Sequence, residues 1–199
     1  VSGASYAYRI VPFNAAGEGT SATMEATVPH AGDPGPGLDF SHGFATAGSQ
    51  LVLNGSAAMQ GGALVLTDGT TYSAASVFSA ADQAIDRFTT SFRLRFNAAL
   101  ADGMTFTIQG NAPTAIGQTG GSLGYGHDHA GFGIGQSIAI KFDLYDNYGE
   151  GPSSTGLFTD GAYPSVPAVN LAGSPIDFHN GHDFDVQITY DGTTLRVMI

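Results

Sequence analysis

Five residues able to do chemistry lie within ten positions of each other: Lys141, Asp143, Tyr145, Asn147 and Glu150, in the run Lys141-Phe142-Asp143-Leu144-Tyr145-Asp146-Asn147-Tyr148-Gly149-Glu150. The apolar start Ile138-Ala139-Ile140 precedes them. If the run opens as a strand, alternation puts Lys141, Asp143 and Tyr145 on one face and Phe142 and Leu144 on the other. Asn147, Gly149 and Glu150 then curl away in a loop. Asp143, Asn147 and Glu150 offer hard oxygen ligands within one turn of chain, and backbone carbonyls can add to them. Such a set suits Ca²⁺ far better than zinc or copper. The competing reading is an acidic loop hydrated by water.

Other polar groupings carry less. His127-Asp128-His129 has two imidazoles one residue apart, but no third ligand is evident, so it reads as a solvated loop. His179-Asn180-Gly181-His182 reads as a polar hairpin tip, and Tyr163-Pro164-Ser165-Val166-Pro167 as a rigid surface loop. Gly131-Phe132-Gly133-Ile134-Gly135 lacks the following helix that a phosphate loop needs. Asn54-Gly55-Ser56 is a glycosylation sequon, meaningful only in a eukaryotic secretory pathway. Glycoside hydrolysis needs two opposed carboxylates, yet the only glutamates are Glu18, Glu25 and Glu150. No Gly-x-Ser-x-Gly elbow occurs either. The expectation is a protein that is not an enzyme.

Short strands separated by turn signals must hold these residues. Candidates are Gln50–Leu53, Ala63–Leu66, Ser76–Phe78, Phe88–Phe96, Met104–Gln109, Ile138–Leu144, Asp183–Tyr190 and Thr194–Ile199. Phe88, Phe92, Leu94 and Phe96 share one face. Asp68-Gly69, Asn180-Gly181 and Asp191-Gly192 are turn dipeptides. No segment has a helical period of helical length; Ser79–Ile85 could make one short turn. The pattern predicts an all-β sandwich or barrel.

Composition narrows the partners. Of 199 residues, six are Lys or Arg and 17 are Asp or Glu, a net charge of −11. Neutralising phosphates needs clustered bases, so no nucleic acid is expected. No apolar run reaches membrane-span length, so no membrane insertion is expected. The chain has no cysteine, which excludes disulfides and Cys-ligated zinc. There is no initiating Met, and Thr194–Ile199 stops in mid-strand, so the chain reads as a piece of a longer protein.

Two family resemblances sharpen this picture. Ser5-Tyr6-Ala7-Tyr8-Arg9-Ile10-Val11-Pro12-Phe13-Asn14-Ala15-Ala16-Gly17, followed by Thr23 to Val28, resembles the last two strands of a fibronectin type III domain, with Tyr6 as its corner tyrosine. Residues 30–39, rich in Pro and Gly, read as a linker. Residues 40–199 resemble a legume-type (L-type) lectin domain of the bacterial secreted branch. The motifs occur in family order: Phe40 to Phe44, Leu51 to Ala57, Phe88-Thr89-Thr90-Ser91-Phe92, Ala101-Asp102-Gly103-Met104-Thr105-Phe106, Gly120-Gly121-Ser122-Leu123-Gly124, and Ile140 to Asn147. The resemblance implies a concanavalin-like antiparallel β-sandwich, a jelly roll.

It also implies a site. Asp143 and Asn147 would ligate one Ca²⁺ through side chains, Tyr145 through its carbonyl, and Glu150 as the last acidic ligand. Glu150-Gly151-Pro152 departs from the family's Asp-Pro, so Asp146 or Asp160 could serve instead. Asp102 would accept hydrogen bonds from two sugar hydroxyls, and its peptide bond with Ala101 would be cis. Gly121 would donate a backbone N–H to the sugar, Asn147 its side-chain amide, and the Tyr145 ring would stack on the pyranose. His127 and His129 would lie near the bound sugar. The family's manganese-type site uses a Glu where this chain has Lys141, and a His where it has Ser153-Ser154-Thr155-Gly156. The manganese-type site is therefore expected to be absent, with the Lys141 ammonium replacing that second cation beside Asp143 or Glu150.

The function expected is a non-catalytic, calcium-dependent carbohydrate-binding module of a secreted or cell-surface multidomain protein. A single site would bind at about millimolar affinity, near 4 kcal/mol, so adhesion would come from tandem modules or self-association. The alternative is a structural or adhesive sandwich of a surface layer or fibre, in which calcium only stiffens loops.

Overall fold

A computed structural model describes residues 37–97, 100–128 and 131–199, together with the backbone of the strand segments 5–10, 13–14, 17–18 and 22–27. Among the described residues the strands are β1 (Ser5–Ile10), β2 (Phe13–Asn14), β3 (Gly17–Glu18), β4 (Ala22–Thr27), β5 (Leu51–Gly55), β6 (Ala58–Gln60), β7 (Ala63–Val65), β8 (Ala75–Ser79), β9 (Phe88–Arg95), β10 (Gly103–Gln109), β11 (Ser137–Asp143), β12 (Ser154–Thr159), β13 (Val169–Asn170), β14 (Asp183–Tyr190) and β15 (Leu195–Met198). Helical structure is limited to single 3₁₀ turns at Phe44–Thr46, Gly48–Gln50 and Gly120–Ser122. The turn expected within Ser79–Ile85 is extended chain and bends instead. The protein is all-β, and every strand pair is antiparallel.

Two sheets, β10-β11-β12-β13 and β15-β14-β9, enclose the main core. Period-two alternation decides which side chains enter it. Phe92 and Leu94 of β9, Val186 and Ile188 of β14, and Ile138, Ile140 and Phe142 of β11 all belong to this one cluster. The outward residues of β9 and β14 set the register: Arg95 lies opposite Asp183, and Arg93 opposite Asp185. Both ion pairs are exposed, so they specify pairing more than they stabilise it. Asp191-Gly192 turns β14 into β15, with the Asp191 carboxylate accepting from the Thr193 and Thr194 N–H groups.

β11 is buried on both faces, because its second face is roofed by loops. Tyr125, Ile134, Ala139 and Phe158 form a smaller core there. The same face carries Lys141 and Asp143, opposite Gly156 and Ser154 of β12. A central strand thus delivers a Lys and an Asp into the interior. Phe142, fully buried, meets Phe92 and Phe178 edge-on at 6.0 and 6.3 Å between ring centroids. Phe142→Ala is expected to cost about 3–5 kcal/mol, read by denaturant unfolding, since no neighbour can refill the void.

Among the described residues, no helix is long and apolar enough to cross a membrane. β1 pairs with β4, Tyr6 opposite Ala26. The Tyr6 side chain, and with it the corner role, lies outside the described residues, as do most of the linker and His129.

Candidate functional site

The site begins where β10 and β11 pair. Gly103 lies opposite Asp143, and the Leu144 N–H donates to the Asp102 carbonyl at 2.9 Å. That bond ties residue 102 to the loop that follows β11. A Cβ on Gly103 would press into the Phe142 carbonyl and come within 2.9 Å of Asp143 Cα, so only glycine allows this approach. The Ala101–Asp102 peptide is cis, as the resemblance implies. Burial pushes the Asp102 carboxyl above the usual carboxylate range.

The Gly120–Ser122 turn brings a second stretch to the same place. Leu123, at φ 56°, and Gly124, at φ 67°, reverse the chain behind it, and Gly117 and Gln118 donate backbone bonds across the loop to Gly124 and Gly126. A Cβ on Gly120 would lie 3.9 Å from Asp102 Oδ2. One on Gly121 would collide with Tyr163 Oη and lie 2.8 and 2.9 Å from Asn147 Oδ1 and Nδ2. Asp102, Gly121 and Asn147, from three separate stretches, therefore converge on one rim.

Beneath the rim is a buried charge cluster. Lys141 is 0% exposed, and its Nζ donates to Asp143 Oδ2 at 2.9 Å and to the Ser165 carbonyl at 2.8 Å. Glu150 Oε1 lies 3.7 Å from the same nitrogen, also fully buried. The Phe158 ring lies under the ammonium, 5.6 Å away at its centroid. Burial pushes the Asp143 carboxyl up, against the pull of Lys141 and of the Tyr145 N–H that donates to its Oδ1. Lys141 thus lies against both carboxylates, where the sequence left Asp143 or Glu150 open, and the Ser165 carbonyl is a third partner.

Two buried oxygens here have no hydrogen-bond partner: Asn147 Oδ1 and Glu150 Oε1. Each such group costs about 1–3 kcal/mol. A hard cation held by these oxygens would remove that cost, and an all-oxygen set with amide and carboxylate donors fits calcium. Among the described residues, no group of three or more His, Asp or Glu side chains is placed to hold a metal. The ammonium of Lys141 already sits against both carboxylates.

The remaining candidates divide clearly. Asp146 accepts from the Gly149 N–H at 2.6 Å through Oδ1, an exposed turn bond. Asp160 donates its N–H to the carbonyl of Ser137, at the opposite end of β11 from Asp143. Tyr145 is 48% exposed, available for contact. His127 is exposed, and among the described residues its ring bonds the Asp128 carbonyl at 3.0 Å. The Asn54 amide of the sequon donates to Ser76 Oγ and the Pro113 carbonyl, bonds a glycan would disrupt.

Two residues near the rim escaped the sequence reading. Tyr163 sits against Gly121, and its ring meets that of Tyr148 at 5.5 Å and 90°. Burial, followed by the charge of Tyr148, Asp102, Glu150 and Asp143, pushes the Tyr163 hydroxyl up to about 12. A Pro-rich segment reads as a plain loop, and no local signal discloses that it folds onto residues forty positions upstream. A large cleft among the described residues runs elsewhere, along β8, β9 and β10, and reaches the rim at Asp102 and Gly120. Its lining is mainly apolar, and the polar convergence outside it is the better candidate.

Comparisons with known proteins agree with the fold. A family profile described as the legume lectin domain matches residues 38–199. The fold is similar to that of lectin I-B4 from Griffonia simplicifolia, solved in its metal-free form, at 20% identity over 75% of this chain and 71% of that one, with a TM-score of 0.56. It is also similar to the lectin from Bauhinia forficata in complex with GalNAc, at 19% identity over 74% of this chain and 70% of that one, with a TM-score of 0.59.

Proposed function

Because the chain belongs to the legume lectin domain family, whose members are non-catalytic carbohydrate-binding proteins, we propose that it is a calcium-dependent saccharide-binding module with its site at Asp102, Gly121, Tyr145 and Asn147. The observation that carries this is the meeting of Asp102, the Gly120–Ser122 turn and Asn147 at one rim. Sugar hydroxyls need fixed donors and acceptors, and sugar C–H faces need an aromatic surface. Asp102 supplies acceptors, the Gly121 N–H and Asn147 Nδ2 supply donors, and the exposed Tyr145 ring supplies the apolar surface.

Asp143, Asn147 and Glu150 would hold Ca²⁺ through side chains and Tyr145 through its carbonyl. When bound, the ion supplies a fixed positive charge that anchors the Asn147 amide by its oxygen. Anchored so, Asn147 turns its NH₂ to the ligand with little ordering left to lose on binding. Lys141 acts as the second, internal cation. It hydrogen-bonds Asp143, lies 3.7 Å from Glu150 Oε1 and pins the Ser165 backbone.

The broader setting is part of the same proposal. Residues 40–199 form the lectin module, 30–39 a linker, and 1–29 the end of a fibronectin type III domain used as a spacer. The parent is a bacterial protein, secreted or held at the cell surface.

Calcium should raise the melting temperature. At a hundredfold excess over Kd, a ligand of the folded state stabilises by about 2.7 kcal/mol, or roughly 5–10 °C for a domain this size. Differential scanning fluorimetry with and without chelator measures it. A melting curve indifferent to chelation, with no calcium by elemental analysis, would remove calcium from the proposal.

A further inference from the structure

We propose that the Tyr163 hydroxyl is a further polar contact to the bound saccharide, reading one sugar hydroxyl beyond those held by Asp102 and Asn147. This rests on the carbohydrate-binding reading above and extends the site to the loop after β12.

Position comes first. A Cβ on Gly121 would collide with the hydroxyl and would lie 2.9 Å from Asn147 Nδ2, so phenol and amide flank the same glycine. Three polar groups of different kinds thus border one small volume: an acceptor at Asp102, a donor at Asn147, and a phenol that can do either. The phenol stays protonated across the physiological range, since burial and the negative groups around it hold its proton. Among the described residues no hydrogen bond engages it, and it is not one of the fully buried unpaired atoms, so a ligand can reach it. A polar group left unmatched beside a row of ligand-binding groups is one that a ligand can satisfy.

Rigidity comes second. A hydroxyl discriminates between sugars only if it is held still. Pro164 is fully buried, and the Ser165 N–H donates to the Tyr163 carbonyl at 2.9 Å. The Lys141 ammonium anchors the Ser165 carbonyl from below at 2.8 Å. Gly126 lets the neighbouring loop pack tightly from the side: a Cβ there would meet the Ala162 carbonyl at 2.6 Å, Pro164 Cδ at 2.7 Å and Tyr163 Cα at 3.1 Å. The Tyr148 ring, 61% exposed, braces the Tyr163 ring edge-on and gives the site an apolar wall. The ligand class is a pyranose with polar contacts on adjacent hydroxyls and a C–H edge against Tyr148.

The test uses the full chain in calcium buffer on an array of mono- and disaccharides that includes N-acetylgalactosamine, followed by titration calorimetry with the tightest binder and its monodeoxy analogues. Tyr163→Phe should bind that sugar about tenfold more weakly, with a melting temperature near that of the wild type. One monodeoxy analogue should lose the same factor against the wild type, while Tyr163→Phe should bind this analogue and the parent sugar equally. That indifference is a readout that a purely structural role would not give, and it holds even if the variant melts earlier. Equal binding of every analogue by wild type and Tyr163→Phe, with Asp102→Ala inert, overturns the Tyr163 contact and leaves the site intact. A wild type that binds no sugar, or an Asp102→Ala variant that binds like it, overturns both.

Discussion

Asp102→Ala is expected to weaken saccharide binding by a hundredfold or more without weakening the fold at neutral pH. The carboxylate would accept two hydrogen bonds from sugar hydroxyls. Bonds to a charged group are worth about 1.5–3 kcal/mol each, and two of them span roughly 10²–10⁴ in affinity. Stability moves the other way. The folded-state pKa of Asp102 is raised by burial above its ordinary value of 3.8. Ionisation in the folded protein is therefore disfavoured relative to the unfolded chain. This penalty is fully present above the raised pKa and vanishes as pH falls below 3.8. Alanine removes the penalty at pH 7, so the variant should melt no lower than the wild type in calcium-free buffer. The same shift sets a pH signature for binding: affinity should begin to fall on acidification at a higher pH than for an ordinary aspartate. Calorimetric titrations across pH, paired with melting curves, measure all three. Retained affinity in Asp102→Ala would place the sugar elsewhere, and a variant that melts far below the wild type would make residue 102 structural.

The sequence discloses elements where a local pattern suffices and is silent where a distant partner decides. Period two in β9 and β14, the apolar opening of β11 and the Asp191-Gly192 hairpin are all local, and the structure has them within a residue or two. β12 was not foreseen. Its Ser154-Thr155-Gly156 opening reads as a loop, yet it is a buried strand at the centre of a sheet. Lys141 lies opposite Gly156 and Asp143 opposite Ser154. A Cβ on Gly156 would already meet the Pro167 carbonyl at 3.0 Å. Burial of a strand does not require an apolar sequence when its neighbour carries a buried ion pair. The place of Tyr163 beside Gly121 is likewise set by a partner distant in sequence. Asp102 and Gly121 entered through family motif alone, since nothing in their local chemistry distinguishes them from turn residues.

Lys141 is the residue on which the whole arrangement turns for stability. Lys141→Met, matched in length and apolar character, would leave Asp143 and Glu150 buried without their cation. Breaking a buried pair from one side costs about 3–5 kcal/mol, against a total of about 5–15 kcal/mol for a domain. A fall of roughly 10 °C in melting temperature is expected, read in calcium-free buffer so that no other cation compensates. The sign distinguishes charge from volume. If packing of the long stem were the contribution, methionine would be nearly neutral. If charge is, methionine should be costly, and Lys141→Met combined with Asp143→Asn should recover part of the loss, because the pair is removed together rather than halved. The same substitution should loosen the Ser165 backbone and with it Tyr163, so sugar affinity should fall even at temperatures where the variant is folded. The chemical counterpart is elemental analysis after refolding with calcium and manganese together. A stoichiometric manganese in the wild type would mean that a metal, not the ammonium, neutralises these carboxylates, and Lys141 would then need another role.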